Sequence, residues 1–105
     1  MSGDEGIAKA RLRIDELDAE IVRLLGERAR CALEIGRIKR ANGAPVYDPE
    51  REREIVENVI RANTGPLGDD AVRRLYERVL DESRRAERLA AQEADRGSGP
   101  EGKSR

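Results

Sequence analysis

Arg28 stands where the pattern around it calls for an isoleucine. Counted in sevens from Ile7, the leading position reads Ile7, Ile14, Ile21, Arg28, Ile35, and the fourth reads Ala10, Leu17, Leu24, Cys31, Ile38. A guanidinium on such a seam is costly to bury unless an anion meets it. A second line of the same segment, Arg11, Asp18, Leu25, Ala32 and Lys39, runs beside the stripe and carries two more cations. Further on, Asp48, Arg51 and Glu52 open a segment whose apolar face begins at Ile55. Near the end, Ser83 and Glu87 lie four apart on an apolar stripe. A single polar pocket between helices would satisfy all three placements. Arg and Lys would bind carboxylates there, while Ser, Asp and Glu would bind hydroxyl or ether oxygens.

The elements that must position these groups are helices. Heptad spacing from about Ile7 to Lys39, with no proline, predicts one long helix that buries a seam against a partner helix. It should end at Asn42-Gly43 and be roughly 50 Å long, more than short partners from its own chain would cover. An antiparallel copy from a second subunit would cover it. Asp48 as N-cap, Pro49 at the first helical position and acidic residues in the first turn predict a second helix. It carries Ile55, Val56, Val59 and Ile60 and stops near Thr64-Gly65-Pro66. A third helix is expected from Asp69 or Asp70, with a stripe of Val72, Leu75, Tyr76, Val79 and Leu80, continued by Ser83, Ala86, Glu87 and Ala90. Residues 1–6 are expected to fray, 7–92 to form the domain, and 93–105, rich in Gly, Ser and charge, to be disordered.

Composition agrees with an all-α class. The chain has 105 residues, 41% of them charged and 37% hydrophobic, with no Phe or Trp and two Tyr. That is one domain with little large apolar volume, so much of its buried area should form between chains, and an obligate dimer is expected. A net charge of −1 gives no basic excess for nucleic acid. No His and a single cysteine, Cys31, exclude the usual zinc sites and His-dependent nucleophilic catalysis. The N-terminus has no apolar run, which predicts neither signal peptide nor membrane span and a cytoplasmic protein.

The pieces R-x-x-I-D-x-L-D (Arg11 to Asp18), L-L-x-E-R (Leu24 to Arg28), I-G-x-x-K (Ile35 to Lys39), P-V-Y-D-P-E-R-E (Pro45 to Glu52) and D-E-S (Asp81 to Ser83) occur in that order. Together they resemble the all-α chorismate mutases. The resemblance implies a three-helix subunit with one long N-terminal helix, in an intertwined homodimer whose sites each borrow one arginine from the opposite subunit. By position, Arg11 resembles the borrowed arginine and Arg28 the same-subunit one, both binding substrate carboxylates. Arg13 competes with Arg11 if the helix is rotated. Lys39 resembles the lysine that contacts the ether oxygen and a carboxylate. Asp48 and Glu52 match positions facing the ring hydroxyl, Arg51 a supporting arginine, and Ser83 a polar residue at the carboxylate end. Glu87 departs from the Gln of many bacterial members, although fungal members and some others have Glu.

The implied reaction, chorismate to prephenate, is an intramolecular [3,3] rearrangement that needs no nucleophile, base, metal or cofactor. Its site holds the diaxial, chair-like conformer of a small dicarboxylate and stabilises negative charge on the breaking ether oxygen. Other readings stand beside it. A relative acting on 4-amino-4-deoxychorismate would use Asp48 and Glu52 for a ring ammonium, and a catalytically silent regulatory or interaction subunit would keep only the fold. Isochorismate pyruvate-lyases share the fold, but the P-V-Y-D-P-E-R-E run is less like theirs. Singly, Arg28 suits a residue that sets coiled-coil register, Asp48 a plain N-cap, and Arg51 a structural group. Arg73, Arg74, Arg84 and Arg85 read as a solvated face, and Glu87 turned outward would pair with Arg84 or Arg88.

Overall fold

The computed structural model describes residues 2–97, which form three α-helices and, among the described residues, no strand. These are α1 (Ser2–Ala41), α2 (Pro49–Ala62) and α3 (Asp69–Gly97). The expected all-α class and helix order hold. The chain divides within α1 into two compact units, Met1–Cys31 and Ala32–Arg105.

In the first unit the chain is helical from Ser2, so residues 2–6 of the 1–6 expected to fray belong to α1. Asp4 and Glu5 occupy the first turn, where carboxylates favour the positive end of the helix dipole. The polar face is laced by pairs three and four apart: Arg13 with Glu16 at 3.1 Å, and Arg23 with both Glu20 and Glu27. The heptad side chains Ile7, Ile14, Leu17, Ile21 and Leu24 are 41–54% exposed.

In the second unit, α1 ends in a Schellman motif. The Ala44 N–H donates to the Lys39 carbonyl at 2.8 Å and the Gly43 N–H to that of Arg40 at 3.2 Å. Gly43 takes φ +69° there, a conformation that costs glycine nothing. Asp48 caps α2, its Oδ1 accepting from the Arg51 backbone N–H at 3.0 Å, with Pro49 at the first helical position. Asn63 ties the next turn, donating from Nδ2 to the Leu67 carbonyl and to Asp69 Oδ1, both at 2.9 Å. α2 and α3 pack on one another; Ile55, Val56, Val59 and Ile60 of α2 and Val72, Tyr76 and Val79 of α3 are half-buried, and Leu80 is 6% exposed. Leu75, assigned by its spacing to that stripe, is 57% exposed instead.

α3 runs to Gly97, past the expected end at Gln92. Residues 93–97 are helical because Ala94 is a strong helix former and Glu93 pairs with Arg96 at 3.3 Å, outweighing the polar composition. The rest of the expected disordered tail, 98–105, lies outside the described residues. Among the described residues, no helix is long and apolar enough to cross a membrane.

Candidate active site

The last turn of α1 carries Lys39 and Arg40, both half-buried, at the helix end where cations meet the negative pole of the dipole. One turn earlier, Gly36 is buried. A Cβ on Gly36 would meet Arg40 Nη1 at 3.4 Å, Glu87 Cγ at 3.7 Å and Val46 Cγ1 at 3.8 Å. The absent side chain is therefore where α3 and the α1–α2 connector approach α1. Glu87 is half-buried at this crossing rather than turned outward. Burial pushes its carboxyl above the usual carboxylate range. Lys39 opposes that shift, Glu52 adds to it, and Arg40 and Arg84 oppose it. Lys39 and Glu87 thus act on one another at this crossing, a lysine with a carboxyl whose burial favours its protonated form.

Glu52, one turn into α2, is also half-buried, and its Oε1 accepts a hydrogen bond from Nη1 of Arg84 on α3. Arg84 Nη2 donates to Asp81, and its guanidinium lies over the Tyr47 ring, 5.9 Å from the centroid. Glu52 and Arg84 stand in the wall of a groove of about 690 Å³ that follows α2 and α3 past Val56, Glu57, Arg73 and Leu80. Arg84 is thus an internal contact, which corrects its reading as part of a solvated face. The signal was in the spacing: Leu80, Arg84 and Glu87 are four and three apart, on one helical face with the buried leucine. Arg40 carries no such signal in the sequence, since a basic residue in a last turn is ordinary capping.

The other expected residues separate. Asp48 is exposed and engaged at the α2 N-terminus, and the Arg51 guanidinium pairs with Glu54 at 3.2 Å while its backbone N–H serves Asp48. Ser83 is half-buried on α3. The second unit therefore brings Lys39, Glu52 and Glu87 together electrostatically, with Arg40 and Arg84 added. Arg11, exposed, and Arg28, half-buried, belong to the first unit. Among the described residues, no group of three or more His, Cys, Asp or Glu side chains is gathered as a metal site.

Residues 10–88 match the family model described as chorismate mutase type II. The chain belongs to that family. The matched segment takes in every candidate from Arg11 to Glu87, so the Arg84–Glu52 pair lies inside the chorismate mutase region. A bifunctional chorismate mutase/prephenate dehydratase of Neisseria gonorrhoeae is 46% identical over 85 residues, 81% of this chain and 23% of that one. Its counterpart in Pseudomonas aeruginosa is 38% identical over 85 residues, 76% of this chain and again 23% of the relative. The chain thus spans about a quarter of the length of those two-function relatives. A solved chorismate mutase of Thermus thermophilus superposes with a TM-score of 0.76 at 38% identity, covering 78% of this chain and 93% of that one.

Proposed function

We propose that the protein is a chorismate mutase that converts chorismate to prephenate, working as a homodimer whose sites each draw on both chains. The observation that carries this reading is the Lys39–Glu87 arrangement at the crossing of α1 and α3. A cation and a protonatable carboxyl at one crossing suit a breaking ether bond, which needs positive charge and a donor. Lys39 meets negative charge that grows only in the transition state, so its effect falls on the rate more than on binding. Protonated Glu87 donates to the same ether oxygen, whereas ionised Glu87 would repel the developing charge. Arg28 and Arg11 of the partner subunit take the two substrate carboxylates. Glu52, with Asp48 and the supporting Arg51, faces the ring hydroxyl, and Ser83 lies at the carboxylate end.

The exposed heptad residues of α1 support the dimer. Ile7, Ile14, Ile21 and Ile35 are all more than half exposed in the single chain, and covering the exposed part of each stabilises by about half of the ~1.5–3 kcal/mol that burying a whole such side chain brings. A cytoplasmic location belongs to the same reading. Incubation with chorismate and assay of prephenate tests it. Saturable turnover without added metal or coenzyme is expected. No turnover would contradict the assignment and leave a helical interaction subunit, while faster turnover of 4-amino-4-deoxychorismate would move the substrate.

A further inference from the structure

The carboxylate expected to meet the substrate ring is not alone. Glu52 Oε1 takes a hydrogen bond from Arg84, and Arg84 is itself held at its other nitrogen by Asp81 and on one face by Tyr47. Both partners are half-buried, with side chains 31% exposed for Arg84 and 23% for Glu52, unlike the surface pairs elsewhere on the helices. Partial burial lessens the solvent screening that makes an exposed pair weak. The hydrogen bond to Glu52 is also the chief cause that raises the guanidinium's already high pKa, so Arg84 stays charged.

We propose that Arg84 is a positioning and specificity-determining residue, which fixes the Glu52 carboxylate and offsets its charge so that the site takes a ring hydroxyl in preference to a ring ammonium. This rests on the chorismate mutase reading, in which Glu52 faces the ring substituent. A carboxylate has about four lone-pair sites, so one bond to Arg84 leaves acceptors for a neutral hydroxyl. An ammonium asks for more, because it loses its hydration on entering and regains that only from net negative charge. Arg84 offsets the Glu52 charge from the half-buried side, while its second carboxylate partner, Asp81, has a side chain 53% exposed and is screened by solvent. The nearby Asp48 carboxylate is likewise engaged, accepting from the Arg51 N–H at the positive end of α2. Both acids are already engaged by donors of this chain, and the repulsion of an incoming cation by Arg84 acts as a selecting element against the wrong substrate.

The test compares wild type, Arg84→Met and Arg84→Lys, each assayed with chorismate and with its 4-amino-4-deoxy analogue. Methionine keeps the helix and the apolar stem while removing the charge. The ratio of kcat/KM for the hydroxyl over the ammonium substrate should fall about tenfold in Arg84→Met, the scale of one hydrogen bond to a charged group. Arg84→Lys, which keeps the charge, should hold the ratio close to wild type. A merely structural residue would lower both kcat/KM values together and leave their ratio alone, and that result overturns the proposal. A double-mutant cycle of Arg84→Met with Glu52→Gln, read by urea unfolding, needs no activity. A favourable coupling between the two side chains is expected, and none would overturn the pairing itself. If wild type turns over neither substrate while the cycle shows coupling, the enzyme assignment fails and takes the substrate preference with it, leaving the ion pair as a structural contact.

Discussion

Glu87 on α3 packs its Cγ 3.7 Å from the point where a Cβ would stand on Gly36 of α1. Alanine fits at that distance, because every neighbour of the added carbon lies at 3.4 Å or more. Gly36→Ala should therefore stabilise the protein by about 1 kcal/mol through helix propensity, raising Tm with little change in kcat. Gly36→Leu extends beyond Cβ into Glu87 and Val46, and displacing Glu87 should lower kcat about tenfold or more. Thermal unfolding and steady-state kinetics on the pair of variants check both. A leucine variant with full activity would show that the Gly36–Glu87 approach does not matter to the rate.

The elements of this fold were open to reading because each is written in local chemistry. Asn42-Gly43 forms the terminal turn of α1, Asp48-Pro49 starts α2, and heptads run the length of α1. What escaped was long-range or compensatory. Arg84 looked solvated because its partner, Glu52, is on another helix, and one-dimensional spacing reports faces without reporting who meets them. Leu75 sits at the edge of the α3 stripe, and a stripe gives no sign of which edge a neighbour covers. α3 outruns its expected end because Ala94 and the Glu93–Arg96 pair favour helix locally. The roles proposed for Arg11 and Arg28 rest on resemblance, whereas the electrostatic coupling of Glu87 to Lys39 and Glu52 is a feature of the folded chain.

Lys39→Ala should lower kcat by roughly two to three orders of magnitude, the scale of losing one preorganised charge at a developing oxyanion. KM and Tm should move far less, since the interaction is strongest only in the transition state. Stopped-flow or single-turnover assay with saturating chorismate isolates the chemical step. A loss confined to KM would instead make Lys39 a carboxylate anchor.

Arg11→Ala and Arg28→Ala proteins should each be inactive alone and partly active when mixed. A random mixture of a two-fold dimer with shared sites restores about a quarter of the sites, because half the dimers are mixed and each has one intact site. Recovery of activity after subunit exchange, followed with chorismate, measures it. Exchange without recovery would contradict sites built from both chains.

The raised pKa of Glu87 has a consequence for folding. Between the ordinary and the raised pKa the folded protein holds a proton that the unfolded chain has released, so the Glu87 contribution to stability falls as pH rises through that window. Below the ordinary pKa the contribution is fully present. Glu87→Gln removes this dependence and should gain stability relative to wild type as pH rises to neutral. Urea unfolding of both proteins at mildly acid and neutral pH checks the sign, and a constant difference between them would contradict it.

The most direct measurement is the pH dependence of kcat/KM for chorismate in wild type and Glu87→Gln. Burial and Glu52 hold the Glu87 pKa up, while Lys39, Arg40 and Arg84 hold it down, and a bound dianion would raise it further. With the protonated acid as donor to the ether oxygen, wild-type efficiency should climb as pH falls below neutral, until the acid form dominates. The glutamine variant, a fixed neutral donor, should be flat over the same range and at least as efficient as wild type at neutral pH. A wild-type profile that is flat from mildly acid to neutral pH, or one that glutamine leaves unchanged, would contradict a protonated Glu87 at the ether oxygen.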